Sequence, residues 1–335
     1  MNPRDEQAID AAKLYYRDGL SQGEVADRLG VSRPTVSKLV QHAKARGFVA
    51  IEIRDPRETG SALADRLAQR FDLAEVRLAH TAYTGAALTR ELGRLGAEAL
   101  TGEIADGDLV GVGWGETMYA VARALTPQPR HGVEFVQLKG GLSLTPRSTN
   151  DVETMTSFCR AFDAHPRMLP LPVIFDSAEV KRIVEGERHI RHILDLGREA
   201  PTAIFTVGGI SPQAMLFNLG HLTDEERDAL QVRAVGDMCS RFFDENGDIA
   251  LPELDERTVG ISLADLRAKP TRILVAGGPS KIRPLEVALA SGYATHLVTD
   301  AGTAARVLGE DVADRDASPD PPHGVDGDAA ARGDT

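Results

Sequence analysis

The stretch "FVQLKGGLS" (135–143) runs apolar through Leu138 and then presents one amine, Lys139, ahead of two glycines. A cation at the end of a buried strand needs a partner, because an unpaired charge taken out of water is costly. Two chemistries meet that need. The ammonium can make a salt bridge or an electrostatic contact to a ligand phosphate. Alternatively, a partly desolvated lysine near other cations has a lowered pKa and can attack an aldehyde to give a Schiff base. Lys139 is therefore the leading candidate for the chemistry of this chain, with both chemistries open.

Three further stretches supply parts of an anion site. In "VGVGWGETMYAVARAL" (110–125), Gly113 and Gly115 free backbone amides, and a helix starting near Thr117 points its positive end at whatever sits there. The Thr117 hydroxyl is an added donor. Glu116 is a poor neighbour for a phosphate unless its side chain turns outward or meets a sugar hydroxyl. No GK[ST] follows, and the third glycine comes one position early for GxGxxG, so neither nucleotide fingerprint applies. In "VAGGPSKIRPLEVAL" (275–289) a diglycine precedes Lys281 in the first turn of a helix. Lysine there opposes the helix dipole, which a bound anion would rationalise. "GDMCSRFFDENGD" (236–248) places Asp237 and Arg241 ahead of a turn at Asn246-Gly247, with a surface ion pair as the plain reading of Arg241. His189 and His192 stand three apart without a third ligand and read as surface residues, and Cys159 reads as core. No Ser-His-Asp or paired-carboxylate arrangement is legible, so no catalytic residue, metal or cofactor is expected.

The elements that must position these residues alternate. Candidate strands are 108–113, 133–138, 203–209, 272–278 and 295–300. Candidate helices are 114–125, 151–163, 178–196, 281–291 and 302–308. Strand, glycine turn and helix in repetition predict an α/β fold, a doubly wound parallel sheet with helices on both faces. In such a sheet ligands bind outside the carboxyl ends of the strands, where the glycine turns fall. This domain is expected over 61–309, after a polar hinge at 54–60 ("RDPRETG"). Residues 310–335 are acidic, rich in Pro and Gly, and expected to be disordered.

Residues 1–53 carry a different signal. "SQGE" (21–24) is a capping box in which Ser21 and Glu24 satisfy one another's amides. Val25, Ala26 and Leu29 form an apolar face, Gly30 sits where the chain turns through a left-handed conformation, and Ser32 caps a second helix that tolerates Pro34 in its first turn. Val36, Leu39 and Val40 face inward. Arg33, Thr35, Ser37, Lys38, Gln41 and Lys44 face outward, as in the recognition helix of a helix-turn-helix. Arg33, Ser37 and Gln41 are candidates for base edges, and Thr35, Lys38 and Lys44 for the DNA backbone. The residues after Gly47 suit a small wing.

Charge agrees with that division. The net charge is −12, yet residues 1–57 hold ten Lys/Arg against eight Asp/Glu, and residues 310–335 hold two Arg against eight acids. A slightly basic head on an acidic body is expected if only the head meets a polyanion. Two cysteines form no framework, and no apolar run is long enough for a bilayer or a signal peptide, so a reducing cytoplasm is the expected location.

A helix-turn-helix head followed in order by "GVGWGETM", "QLKGG", "GDMCSRFFDENG" and "AGGPSK" resembles the SorC family of bacterial sugar-responsive transcriptional regulators, over about residues 8–308. The resemblance implies an effector domain similar to sugar-phosphate isomerases and glucosamine-6-phosphate deaminases, operator DNA and a sugar phosphate as partners, and a homo-oligomer, usually a tetramer. It implies a phosphate site at Gly115, Glu116, Thr117 and Lys281, with Asp237 near the sugar. Gly113 and Gly140, in the glycine turns themselves, complete the expected effector-binding set. Glu116 departs from the hydroxyl residue common there. Many members lack a lysine at 139. Those that control deoxyribonucleoside use resemble "QLKGG" and bind deoxyribose 5-phosphate through an imine at that lysine. The resemblance thus implies a repressor of deoxynucleoside catabolism. The alternatives are a regulator that senses another sugar or polyol phosphate without a covalent bond, and a sugar-phosphate isomerase or deaminase carrying a DNA-binding head.

Overall fold

The computed structural model describes residues 3–49, 56–79 and 83–310, with residues 56–60 described by backbone alone. The chain divides into two compact units, Met1–Asp55 and Pro56–Thr335.

In the first unit, helix α1 (Pro3–Ala12) continues through a wider π-type turn (Lys13–Arg17) and is followed by α2 (Gln22–Leu29) and α3 (Arg33–Ala45). The Ser21 hydroxyl accepts from the Glu24 amide at 3.3 Å, and Glu24 Oε2 accepts from the Ser21 amide at 2.8 Å. Gly30 ends α2 at φ 66°, and Ser32 caps α3 by accepting from the Thr35 amide at 3.3 Å. The small residues Ala8, Ala11 and Ala12 of α1 pack against Val36, Leu39, Val40 and Ala43 of α3, with Val25 and Ala26 of α2 closing the core. Asp5 adds a polar tie from α1 to α3. Its carboxylate meets His42 Nε2 at 2.7 Å and Arg46 Nη2 at 3.3 Å. The wing expected after Gly47 lies outside the described residues beyond Val49.

The second unit is built on a seven-stranded, all-parallel sheet. Its strands are β1 (Glu75–Ala79), β2 (Leu109–Val112), β3 (Glu134–Gln137), β4 (His165–Arg167), β5 (Thr202–Phe205), β9 (Thr271–Val275) and β10 (His296–Asp300), in the order β1-β10-β9-β5-β2-β3-β4. A separate antiparallel ribbon joins β6 (Val207–Gly209), β7 (Gly236–Met238) and β8 (Arg241–Phe243). Alternate residues of the central strands enter opposite cores, as the pleat requires. Ile273 and Val275 pack with Leu92, Val121 and Phe158, whereas Leu274 and Ala276 pack with Leu67, Leu285 and Ala304. Helices therefore cover both faces, the doubly wound arrangement the sequence predicts.

Three boundaries differ from the sequence reading. The hinge expected at 54–60 contains the start of a helix, Pro56–Phe71, because proline is tolerated at a first helical position, where its missing N–H is not needed. The apolar run 203–209 is two strands: β5 stays in the parallel sheet and β6 turns into the ribbon, with Thr206 at the break. The charge-dense stretch 178–196 forms two helices, Ala178–Glu185 and Arg188–Glu199, separated by Gly186-Glu187. The acidic tail lies outside the described residues from 311 onward.

Candidate functional site

From β2 the chain moves to β3 and β4 on one side, then returns to β5, β9 and β10 on the other. The order reverses between β2 and β5, which is where an open α/β sheet leaves a crevice at its carboxyl edge. The turn after β2 (Gly113 to Gly115), the first turn of the helix Glu116–Ala124, and Thr206 after β5 meet at that point.

Lys281 ties them together. It stands at the end of a single 3₁₀ turn (Pro279–Lys281) and caps the helix Ile282–Ala290. Its Nζ donates to Thr117 Oγ1 at 3.0 Å and to Thr206 Oγ1 at 3.1 Å. Burial lowers its pKa to about 8, against the opposing pull of Asp237 and Glu116. An amine, two hydroxyls and a helix N-terminus converging in this way are the groups that can hold a tetrahedral anion. Thr206 was not visible in the sequence, because it looked like one residue inside a strand. The glycine amides contribute less than their sequence suggested. Gly113 N–H is spent on Ile204 O at 2.9 Å, and Gly278 N–H on Asp300 Oδ2 at 2.8 Å and Thr303 Oγ1 at 2.8 Å. Glu116 turns outward, its side chain 73% exposed, and stands 3.9 Å from Arg147.

Lys139 follows β3 by two residues and is only 5% exposed. Its Nζ lies 3.6 Å from the centre of the Trp114 ring. Among the described residues no carboxylate comes within the 4.0 Å of an ion pair with it. Burial drives its pKa down, opposed chiefly by the carboxylate of Asp237 and less by that of Asp151. The backbone around it is held closely. Trp114 Nε1 donates to Gly140 O at 2.9 Å, Lys139 pairs with Gly260 in an antiparallel bridge, and a Cβ at Gly140 would lie 2.2 Å from Pro172 O. Gly140 is thus a point of close approach between backbones. Trp114 stands inside a motif singled out for its glycines, and only the folded chain reveals it as the floor under the amine.

Arg241 is buried, not a surface ion-pair residue. Its guanidinium donates to Ile261 O, Gly260 O, Thr258 O, Asp255 O and Asp255 Oδ1 at 2.7–3.1 Å. With its donors committed it organises the loop that carries Gly260. Asp237, on β7, is the charge that most strongly opposes the effect of burial at both Lys139 and Lys281, and burial raises its own pKa against the pull of those two lysines. The structure therefore gathers Thr117, Lys139, Asp237 and Lys281 at one edge of one sheet. His189 and His192 are exposed, Cys159 is buried, and no metal-holding group of His, Cys, Asp or Glu occurs among the described residues.

On the first unit, Arg33, Thr35, Lys38, Gln41 and Lys44 of α3 are exposed and Ser37 is half-buried. Arg33, Ser37 and Gln41 fall four apart, on one face of the helix. Thr35 Oγ1 is 2.8 Å from Ser32 Oγ and belongs to the cap, and Lys44 Nζ lies 5.5 Å from the Tyr16 ring centre.

A helix-turn-helix unit followed by a doubly wound α/β unit, with buried lysines gathered at its switch point, is the architecture of a ligand-responsive DNA-binding protein. Residues 55–309 match the family model of a sugar-binding domain, and residues 14–58 that of the MarR family. The Deoxyribonucleoside regulator of Bacillus subtilis (strain 168) is 44% identical over 311 residues, which are 92% of this chain and 98% of that protein. The transcriptional regulator LsrR of Escherichia coli (strain K12) is 29% identical over 312 residues, 91% of this chain and 95% of that one. The full-length sorbitol operon regulator SorC from Klebsiella pneumoniae superposes with a TM-score of 0.69 at 25% identity, covering 90% of this chain and 98% of that one. The chain belongs to the SorC family of sugar-binding transcriptional regulators. Among its described residues no helix is long and apolar enough to cross a membrane.

Proposed function

We propose that this regulator represses deoxyribonucleoside or deoxyribose catabolism and is released from its operator by deoxyribose 5-phosphate. The observation that carries the reading is Lys139, an amine set over an aromatic ring in a buried position with its pKa pushed down. A neutral amine is a nucleophile, and deoxyribose 5-phosphate, lacking a 2-hydroxyl, has an appreciable open-chain aldehyde. Lys139 Nζ attacks the aldehyde carbon, water leaves, and the resulting imine holds the sugar. The phosphate rests on Lys281, Thr117, Thr206 and the first turn of Glu116–Ala124, with Asp237 beside the sugar. The 44% identity to a protein named for deoxyribonucleosides supports this effector over other sugar phosphates. Arg33, Ser37 and Gln41 read base edges, Lys38 and Lys44 meet the DNA backbone, and a homo-tetramer pairs the heads with operator half-sites. The relatives are named as regulators, which supports a site that binds rather than turns over.

Intact mass spectrometry after incubation with deoxyribose 5-phosphate and borohydride tests the chemistry. The wild type is expected to gain one reduced sugar phosphate, and Lys139→Met none. If neither gains mass while the sugar phosphate still raises the melting temperature, Lys139 is an ionic contact. Steady consumption of the sugar phosphate would instead identify an enzyme.

A further inference from the structure

Imine formation has a step for which Lys139 has no agent of its own. Attack on the aldehyde gives a carbinolamine, and that adduct sheds its hydroxyl only if a proton reaches the oxygen. A side chain positioned at the adduct can supply that proton faster than solvent does. The acidic and cationic groups of the crevice can be considered in turn. Asp151, at the start of the helix Asp151–Phe162, is engaged by neutral donors: Oδ2 accepts from Gln137 Nε2 at 3.2 Å and Oδ1 from Thr149 Oγ1 at 2.8 Å. The Cys239 thiol is pushed up to about 11 by burial and is a weak acid near neutrality. Lys281 is committed to two threonine hydroxyls, and Glu116 faces outward.

Asp237 remains, and it is held in place from two sides. It pairs across the ribbon with Gly208, and a Cβ at 208 would lie 2.0 Å from Asp237 Oδ1, so the carboxyl occupies room that only glycine leaves. Two residues on, the β7–β8 turn is made by Cys239 and Ser240 at φ 48° and 68°, a conformation that glycine usually supplies. That turn brings the Ser240 N–H back to the Asp237 carboxylate. Backbone strain held in a two-residue turn beside a ligand site is a reason to ask what the turn positions.

The geometry points to Asp237 as the proton donor and acceptor for imine formation and hydrolysis at Lys139, an assignment that rests on the imine reading above. The neutral Lys139 amine adds to the aldehyde carbon of the sugar phosphate. Protonated Asp237 gives its proton to the carbinolamine hydroxyl. The C–O bond breaks, water leaves, and the nitrogen lone pair forms the C=N bond. An iminium cation then faces an Asp237 carboxylate, so a neutral pair has become an ion pair of net charge zero. Hydrolysis runs the same path backwards, with Asp237 taking the proton from the attacking water.

The test is rapid-quench borohydride trapping of the full-length protein at saturating deoxyribose 5-phosphate, as a function of pH, for wild type and Asp237→Asn. Saturation removes the influence of Lys281 on occupancy. The isosteric amide is expected to reach the same adduct about 100-fold more slowly, the scale of a positioned general acid, and to lose the fall in rate at higher pH. In Asp237→Ala, formate is expected to restore rate and an equal concentration of chloride is not. Equal rates and pH profiles in wild type and Asp237→Asn overturn the role of Asp237 and leave the imine standing. A slow Asp237→Asn whose pH profile matches wild type, with no formate rescue in Asp237→Ala, reduces Asp237 to a structural part and overturns the proposal. Absence of adduct on the wild type overturns this proposal and the imine together.

Discussion

Lys281 carries a pH signature that a solvent-exposed lysine would lack. Its pKa is lowered to about 8 by burial, so near neutrality the amine is charged, and it becomes neutral as pH rises through that value. A phosphate favours the charged form, so affinity for the sugar phosphate is expected to fall as pH rises above about 8, a dependence that calorimetric titration would read. Lys281→Ala removes a charge-assisted hydrogen bond of about 1.5–3 kcal/mol, and affinity should fall roughly 10- to 150-fold. On the DNA side the residues divide by role. Arg33→Ala should relax base preference at one operator position, whereas Lys38→Ala should weaken all sequences alike and reduce the salt slope of binding by about 1. Equal effects of the two changes on specificity would show that Arg33 is a backbone contact.

At the scale of elements, the site depends on how closely three loops approach one another. The turn at Gly140 passes under the carbonyl of Pro172, the Gly260 loop pairs with Lys139, and Arg241 holds that loop through its carbonyls. Gly140→Ala cannot be absorbed by a side-chain rotation, because the obstructing atom is backbone. It should destabilise the second unit by about 1–3 kcal/mol, seen as a lower melting temperature. It should also weaken the response to effector more than Lys281→Ala does at equal phosphate occupancy, since it displaces Lys139 itself. A melting temperature unchanged from wild type would mean that this approach relaxes freely.

For the whole molecule, the proposed repressor mechanism puts effector and operator on one equilibrium. If sugar phosphate weakens operator binding tenfold, a coupling of about 1.4 kcal/mol, then saturating operator DNA must weaken sugar-phosphate binding by the same factor. Fluorescence anisotropy on the DNA and calorimetry on the ligand should give equal ratios. Unequal ratios would show that the two ligands do not report on the same pair of states. Lys139→Met should abolish most of that coupling if the imine is what distinguishes those states, even where residual phosphate binding persists.

Local physical rules made much of this chain legible before any fold was known. The capping box at Ser21–Glu24, the left-handed Gly30 and the Ser32 cap involve residues within a few positions of one another, and each appears as expected. Apolar runs ending in glycine implied a parallel sheet. Lys139 and Lys281 could be singled out because a cation at a strand end or a helix start had no local reason to exist, Thr117 as a donor beside the glycine turn, and Asp237 through the resemblance to the family. What depended on contacts between distant segments stayed hidden. Thr206 meets Lys281 only because β5 and β6 belong to different sheets, and Trp114 lies under Lys139 only because β2 and β3 are neighbours. Arg241 looked exposed because four of its five acceptors are backbone carbonyls at 255–261, and backbone carbonyls leave no mark in a sequence. The residue types at the crevice are set by chemistry, but which of them share it is decided by strand order, which is a property of the whole sheet.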